Sequence, residues 1–293
     1  MNLQFLQDQY SKHFCLQPLA AELVLPEAKL ICLQNAKASA FSFIASSLFH
    51  QVDLNHVFIL DDKEAAAYFQ NDFETLTQAL DCCLFPDSFK KTGTIGELNN
   101  SHVMLRAEAL MKFNQGDAKR KVLVTYPEAI FEKVINPTTF SKNTIFIKTN
   151  QKLDAAFLFE FLIEMGFTKV DFVYEPGQFA IRGGIIDIYS FGNEHPYRVE
   201  LFDDEVDTIR LFNAETQLSE RKLSQVTIIP NIETHFEANE KIALFDFLPL
   251  NTVIWVHDTE LLLQRIAKLE QYIDEKQEVI FNDEQEKEVK FTS

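Results

Sequence analysis

A lysine and a serine two residues apart, set in the first turn of an α/β layer among glycines, can hold a phosphate and its metal ion. The stretch Leu33-Gln-Asn-Ala-Lys-Ala-Ser39 has Lys37 and Ser39 in that relation, but no glycine. The first glycine of the whole chain is Gly93. Backbone N–H groups cannot close around a triphosphate on such a turn. Lys37 and Ser39 therefore read as the remains of a nucleotide site, or as a solvated loop and a helix N-cap. Asp61-Asp62 ends an apolar run and could hold a metal, but without a second carboxylate cluster a helix N-cap fits it better. Glu200, Asp203, Asp204, Glu205 and Asp207 lack the spacing of a calcium loop and read as a charged hairpin turn. Seven histidines are scattered without HxxxH or HxH spacing, and no GxSxG occurs. No catalytic set, no metal site and no cofactor is expected.

The elements around these residues fall into two patterns. Lys29–Leu33, His56–Leu60 and Lys121–Tyr126 are apolar runs of strand length, separated by helix-like stretches near 63–80 and 104–113. That alternation predicts a parallel α/β layer. Asn136-Pro137 breaks it. After a strand at Thr144–Ile147 and a helix at Ala155–Met165, the strands become short and turn-linked: Val170–Tyr174, Phe179–Arg182, Ile185–Tyr189, Tyr197–Phe202 and Val206–Phe212. Glu175-Pro-Gly-Gln178 suits a type II turn, and Gly183-Gly184 a β-bulge. This is the pattern of an antiparallel meander. Val226–Ile229, a buried strand at Thr252–Val256 and a helix over Glu260–Ile273 return to the first pattern. The tail from Asp283 to Lys290 is polar and is expected to fray or to be disordered.

Composition bounds the function. The 293 residues suffice for two or three domains, and 28 phenylalanines imply aromatic cores. A net charge of −17 disfavours sequence-independent nucleic-acid binding, which needs a phosphate-neutralising surface. It fits a basic protein partner or a solvated surface better. No apolar run reaches membrane-span length and the N-terminus lacks signal-peptide order, so a cytoplasmic location is expected. Cys15, Cys32, Cys82 and Cys83 form no CxxC pair and are expected to be buried thiols.

The stretch Glu175-Pro-Gly-Gln-Phe-Ala-Ile-Arg-Gly-Gly-Ile-Ile-Asp-Ile-Tyr189, running into Pro196-Tyr-Arg-Val-Glu-Leu-Phe-Asp-Asp-Glu-Val-Asp-Thr-Ile-Arg-Leu-Phe212, is distinctive. It resembles the pattern PGxFxxRGGxxD…RxExFxDExxxIRxF shared by UvrB and the transcription-repair coupling factors, and its details are closer to the latter. The resemblance implies a degenerate P-loop-type parallel α/β layer with an inserted small α+β domain built on the meander. The domains would be 1–134, UvrB-like; 135–219, UvrA-binding; and 220–293, completing the first layer. It further implies a non-catalytic recruitment module that binds UvrA, whose binding face is masked by the remainder of a full-length chain. The alternative is a UvrB-like ATP-binding or DNA-binding repair subunit. Carried over by position, the UvrA contacts would be Arg182, Lys169, Glu200 and Phe179, the last either exposed or buried under the sheet. A further basic position of the family is Ala180 here. Strand alternation puts Ala180 and Arg182 on one face and Phe179 and Ile181 on the other. Arg182 would then contact a partner, pair internally with Asp187 or Glu200, or do both in turn.

Overall fold

The computed structural model describes residues 3–25, 27, 29–34, 36, 39–78, 82–88, 99–115 and 120–272. The fold is mixed α/β, with parallel and antiparallel sheets. Two compact units divide the described residues. One is drawn from 1–82, 122–131 and 251–272, the other from 83–115 with 120–121 and from 132–250.

The first unit rests on parallel strands. Thr252–Val256, Asn55–Ile59 and Val122–Thr125 lie side by side in that order, with Phe58 opposite both Trp255 and Val124. Every residue of Asn55–Ile59 and Val122–Thr125 is buried, as a sheet covered on both faces requires. Helices Ala40–Gln51 and Lys63–Thr77 supply an aromatic cluster in which Phe58 sits 4.7 Å from Phe69 and 5.2 Å from Phe73, centroid to centroid. Trp255 joins it and donates its indole N–H to His56 Nδ1 at 3.0 Å. Asp62 caps Lys63–Thr77 by accepting from the Ala65 amide at 2.8 Å, the role its sequence position suggested. Ser39 stands at the N-cap of Ala40–Gln51 with no side-chain cap bond, while Lys37 lies outside the described residues.

Two expectations fail in this unit. Lys29–Leu33 is not a buried strand: residues 29–33 have no regular structure and Leu30 is fully exposed. An apolar run becomes a strand only where a neighbouring ladder accepts it, and this one pairs with none of the described strands. The thiols also divide: Cys82 and Cys83 are buried, but Cys15 and Cys32 are exposed. Cys32 sits in that same uncovered segment, and Cys15 precedes the helix Leu16–Leu23.

The second unit contains a six-stranded sheet in the order Ser219–Leu223, Glu205–Phe212, Tyr197–Phe202, Ile185–Ile188, Gln178–Arg182, Thr168–Lys169. All pairings are antiparallel except the last. The meander is thus as expected, with three differences, one of them the added edge strand Ser219–Leu223. Its first strand is Thr168–Lys169 rather than Val170–Tyr174, because the Gln178 side-chain carbonyl takes the Tyr174 and Glu175 amides at 2.9 and 3.1 Å. Those N–H groups are removed from any ladder. Gly183-Gly184 is not a bulge but the turn of a hairpin, with Arg182 opposite Ile185. Gly183 takes φ +60°, and a Cβ on Gly184 would stand 2.8 Å from the Leu201 carbonyl oxygen.

One face of this sheet is a core. Helix Ala155–Glu164, capped by Asp154 through the Ala156 and Phe157 amides, lays Leu158 and Leu162 into it. The antiparallel pair Ile145–Lys148 and Gln225–Ile228 adds Ile147, Val226 and Ile228. Full burial of one such side chain contributes about 1.5–3 kcal/mol.

The Glu175–Gln178 turn fixes the start of the meander. Gly177 has φ +84°, and a Cβ there would meet the Phe191 ring at 2.5 Å. Gly177→Ala is therefore expected to destabilise the protein by about 1–3 kcal/mol, from left-handed strain and overpacking together. A urea midpoint within a few tenths of a molar of the wild type would contradict this.

Candidate protein-docking face

Register divides the side chains of the six-stranded sheet between two sides, because successive residues of a strand alternate. Phe179, Ile186, Ile188, Val199 and Ile209 point into the core just described. The paired residues between them share the opposite face: Ala180 and Arg182; Ile185 and Asp187; Arg198, Glu200 and Phe202; Thr208 and Arg210; Lys222; and, opposite Phe202 at the edge, the exposed Glu205.

That outer face is organised around Asp187, which has no exposure to water. Its carboxylate accepts from Arg198 Nε at 2.7 Å and Arg198 Nη2 at 2.9 Å, and also from Arg182 Nη2. The planar guanidinium fork of Arg198 suits such a two-pronged contact. Its proton is held more firmly than usual by the hydrogen bond to Asp187. Arg182 also donates to the Asp171 carbonyl at 2.6 Å and lies 5.1 Å above the exposed ring of Phe172. Glu200 continues the alternation, accepting from Thr208 at 2.7 Å and lying 3.3 Å from Arg210. In the middle of the face Arg182, Arg198, Arg210 and Lys222 confront only Asp187 and Glu200. A cationic patch thus stands on a chain whose net charge is −17.

Two of the four residues singled out from sequence, Arg182 and Glu200, are brought together here. Arg182 is about a third exposed and pairs with Asp187, one of the two internal partners open to it. Lys169 is exposed, but its strand register matches Phe179, so it belongs to the opposite side, 5.4 Å from the Phe159 ring. Phe179 takes the buried of its two possible placements, with no exposure. Ala180 is also buried, against Val173 and Phe212.

A second ionic group went unseen in the sequence. Arg106, in helix Asn100–Asn114, has no exposure. Its Nε donates to Glu233 at 2.6 Å and its Nη1 to the Pro86 carbonyl at 2.8 Å. Glu132 lies 3.4 Å from its Nη2, and the Phe85 ring 4.3 Å beneath its guanidinium carbon. Glu132 also accepts from the Ser88 amide at 3.0 and 3.1 Å. The partners are distant in sequence. The available signal was Arg106 itself, standing at helical spacing between Val103 and Leu110 on an otherwise apolar face.

Burial pushes the Glu132 carboxyl up to about 7, against the opposing pull of Arg106 and the Ser88 amide. The folded state thus holds this proton more tightly than the unfolded chain. The resulting stabilisation is complete below about pH 4.5 and is lost as pH rises through about 7. Its size is on the order of 3 kcal/mol. Glu132→Gln should abolish that part of the pH dependence of urea unfolding between pH 5 and pH 8. A slope unchanged from wild type would show that Glu132 ionises normally.

Comparison with known proteins adds the family. Residues 145–236 match the UvrB interaction domain, a span that contains the whole docking face. The transcription-repair-coupling factor of Bacillus subtilis is 31% identical over 215 residues, covering 71% of this chain and 18% of that protein. That of Haemophilus influenzae is 26% identical over 198 residues, 68% of this chain and 17% of its own length. That of Staphylococcus epidermidis reaches 38% over 124 residues, 42% and 10% respectively. The chain spans less than a fifth of the length of these relatives. Among the described residues no helix is long and apolar enough to cross a membrane.

Proposed function

Because the chain belongs to the transcription-repair coupling factors through its UvrB interaction domain, we propose that it is a recruitment module that binds UvrA to start nucleotide-excision repair. The observation that carries this reading is the cationic outer face of the meander, centred on Arg182. An arginine fork that is a third exposed and backed by an exposed aromatic ring is a common interface anchor. Arg182 and Glu200 are the contacts proposed within that face. Lys169 adds a charge at the sheet margin and Phe179 acts from beneath, by holding the strand that carries Arg182. In a full-length relative, the remainder of the chain would cover this face and lower its availability.

The same reading assigns this segment no catalysis of its own and no cofactor. The glycine-free stretch from Leu33 to Ser39 lacks the backbone freedom to wrap phosphates, which weighs against nucleotide binding there. A net charge of −17 weighs against direct DNA binding. A cytoplasmic location fits a partner of this kind.

The test is affinity for purified UvrA. Arg182→Ala is expected to weaken binding about ten-fold or more, measured well below a melting temperature that the lost Asp187 and Asp171 bonds lower. Binding within two-fold of wild type would remove Arg182 from the interface. Titration with ATP is expected to give no saturable heat; a saturable one would restore the nucleotide-binding alternative.

A further inference from the structure

The outer face does not end at its charges. Next to Glu200 on the same strand is Phe202, 80% exposed, on the side that carries Arg182 and Arg198. Ile185, which pairs with both Arg182 and Glu200, is also exposed there. A lone surface phenylalanine would need no explanation. This one differs because its backbone is fixed. The Leu201 amide donates to the Gly184 carbonyl at 2.7 Å, an approach that the absence of a Cβ on Gly184 permits.

The hairpin tip beyond Phe202 is tied down as well. The Leu153 amide donates to the Asp204 carbonyl and the Val206 amide to the Gln151 carbonyl, at 2.8 and 2.9 Å. Lys152 Nζ reaches the Asp204 carboxylate at 2.7 Å. Asp203 accepts left-handed backbone, φ 57°, to make the turn. A large ring on an immobilised backbone loses little freedom on binding, which is what makes such residues interface anchors.

We propose that Phe202, with Ile185 beside it, is the apolar anchor of the docking face, and that it enters an apolar pocket on a partner surface that is otherwise acidic. The cations of the face select the acidic surface, and the ring fixes the register. This rests on the reading of the face as the UvrA-binding surface and adds a residue that reading did not contain. The side chain is 80% exposed, so its removal is expected to separate binding from folding.

The experiment compares four variants for affinity to purified UvrA at several salt concentrations, with melting temperatures as the folding control: Phe202→Ala, Phe202→Leu, Arg182→Ala and Phe146→Ala. Phe146 is an exposed phenylalanine on the strand Ile145–Lys148, whose Ile147 packs into the core on the other side of this sheet. Phe202→Ala should weaken binding about ten-fold or more and keep the wild-type salt dependence, because the lost contact is apolar. Phe202→Leu should recover part of the loss, and Phe146→Ala should match wild type. Arg182→Ala should flatten the salt dependence. If Arg182→Ala weakens binding while Phe202→Ala stays within two-fold of wild type, the anchor is refuted and the charged face stands. A loss for Phe202→Ala that Phe146→Ala reproduces also refutes it, since any exposed ring would then serve. A loss at Phe202 with none at Arg182 keeps the anchor and overturns the Arg182-centred reading.

Discussion

Asp187 is a carboxylate with no access to water, on a sheet face that buries Ala180 and Phe212 beside it and leaves Phe202 and Ile185 exposed. Removing such an ion from water costs several kcal/mol, and stripping away a partner costs about 3–5 kcal/mol more. Arg198 and Arg182 both answer that requirement, so both are drawn to the outer side of their strands. With two guanidinium groups fixed there, the face cannot be covered by an apolar layer as its reverse is. It stays charged and available. Because Arg198 engages both carboxylate oxygens, Asp187 keeps a partner if Arg182 turns toward another molecule. An internal pair and an external contact are therefore compatible for Arg182.

The two ionic groups of this unit contrast in what surrounds them. Around Asp187, two cations serve one anion, and the surplus positive charge faces outward. Around Arg106, two carboxylates serve one cation, all of it sequestered. There burial dominates and raises the proton affinity of Glu132. The first arrangement leaves a donor to offer. The second leaves a proton-sensitive joint inside the fold.

The meander was legible in the sequence because its turns are chemically explicit. Glu175-Pro-Gly-Gln178 and Asp203-Asp204 set the hairpins, and alternation along Tyr197–Phe202 divides core from surface one residue at a time. The same alternation placed Arg182 correctly on the face opposite Phe179 and Ile181. It failed at Gly183-Gly184, where two glycines suit a bulge and a tight turn equally well. It failed again at Lys29–Leu33, where local apolarity gives no information about whether a neighbouring strand exists. Phe202 was passed over because a phenylalanine in a strand reads as core. Its parity with Arg198 and Glu200 points to the outer face. The Arg106 group joins segments more than a hundred residues apart, beyond the reach of any local pattern.

The chain's path through its units constrains how the protein can be dissected. A fragment cut to the domain match, 145–236, retains the meander and Asp187 with both its arginines. It keeps Glu233 but loses Arg106, leaving that carboxylate without its 2.6 Å guanidinium neighbour. Starting at Glu132 restores one carboxylate and still omits the cation between them. Excision of residues 145–236 alone thus severs an ionic joint whose cation lies upstream in the sequence. The shortest expression boundary that keeps all of that joint begins by Phe85, so that the ring beneath Arg106 is retained, and extends through Glu233.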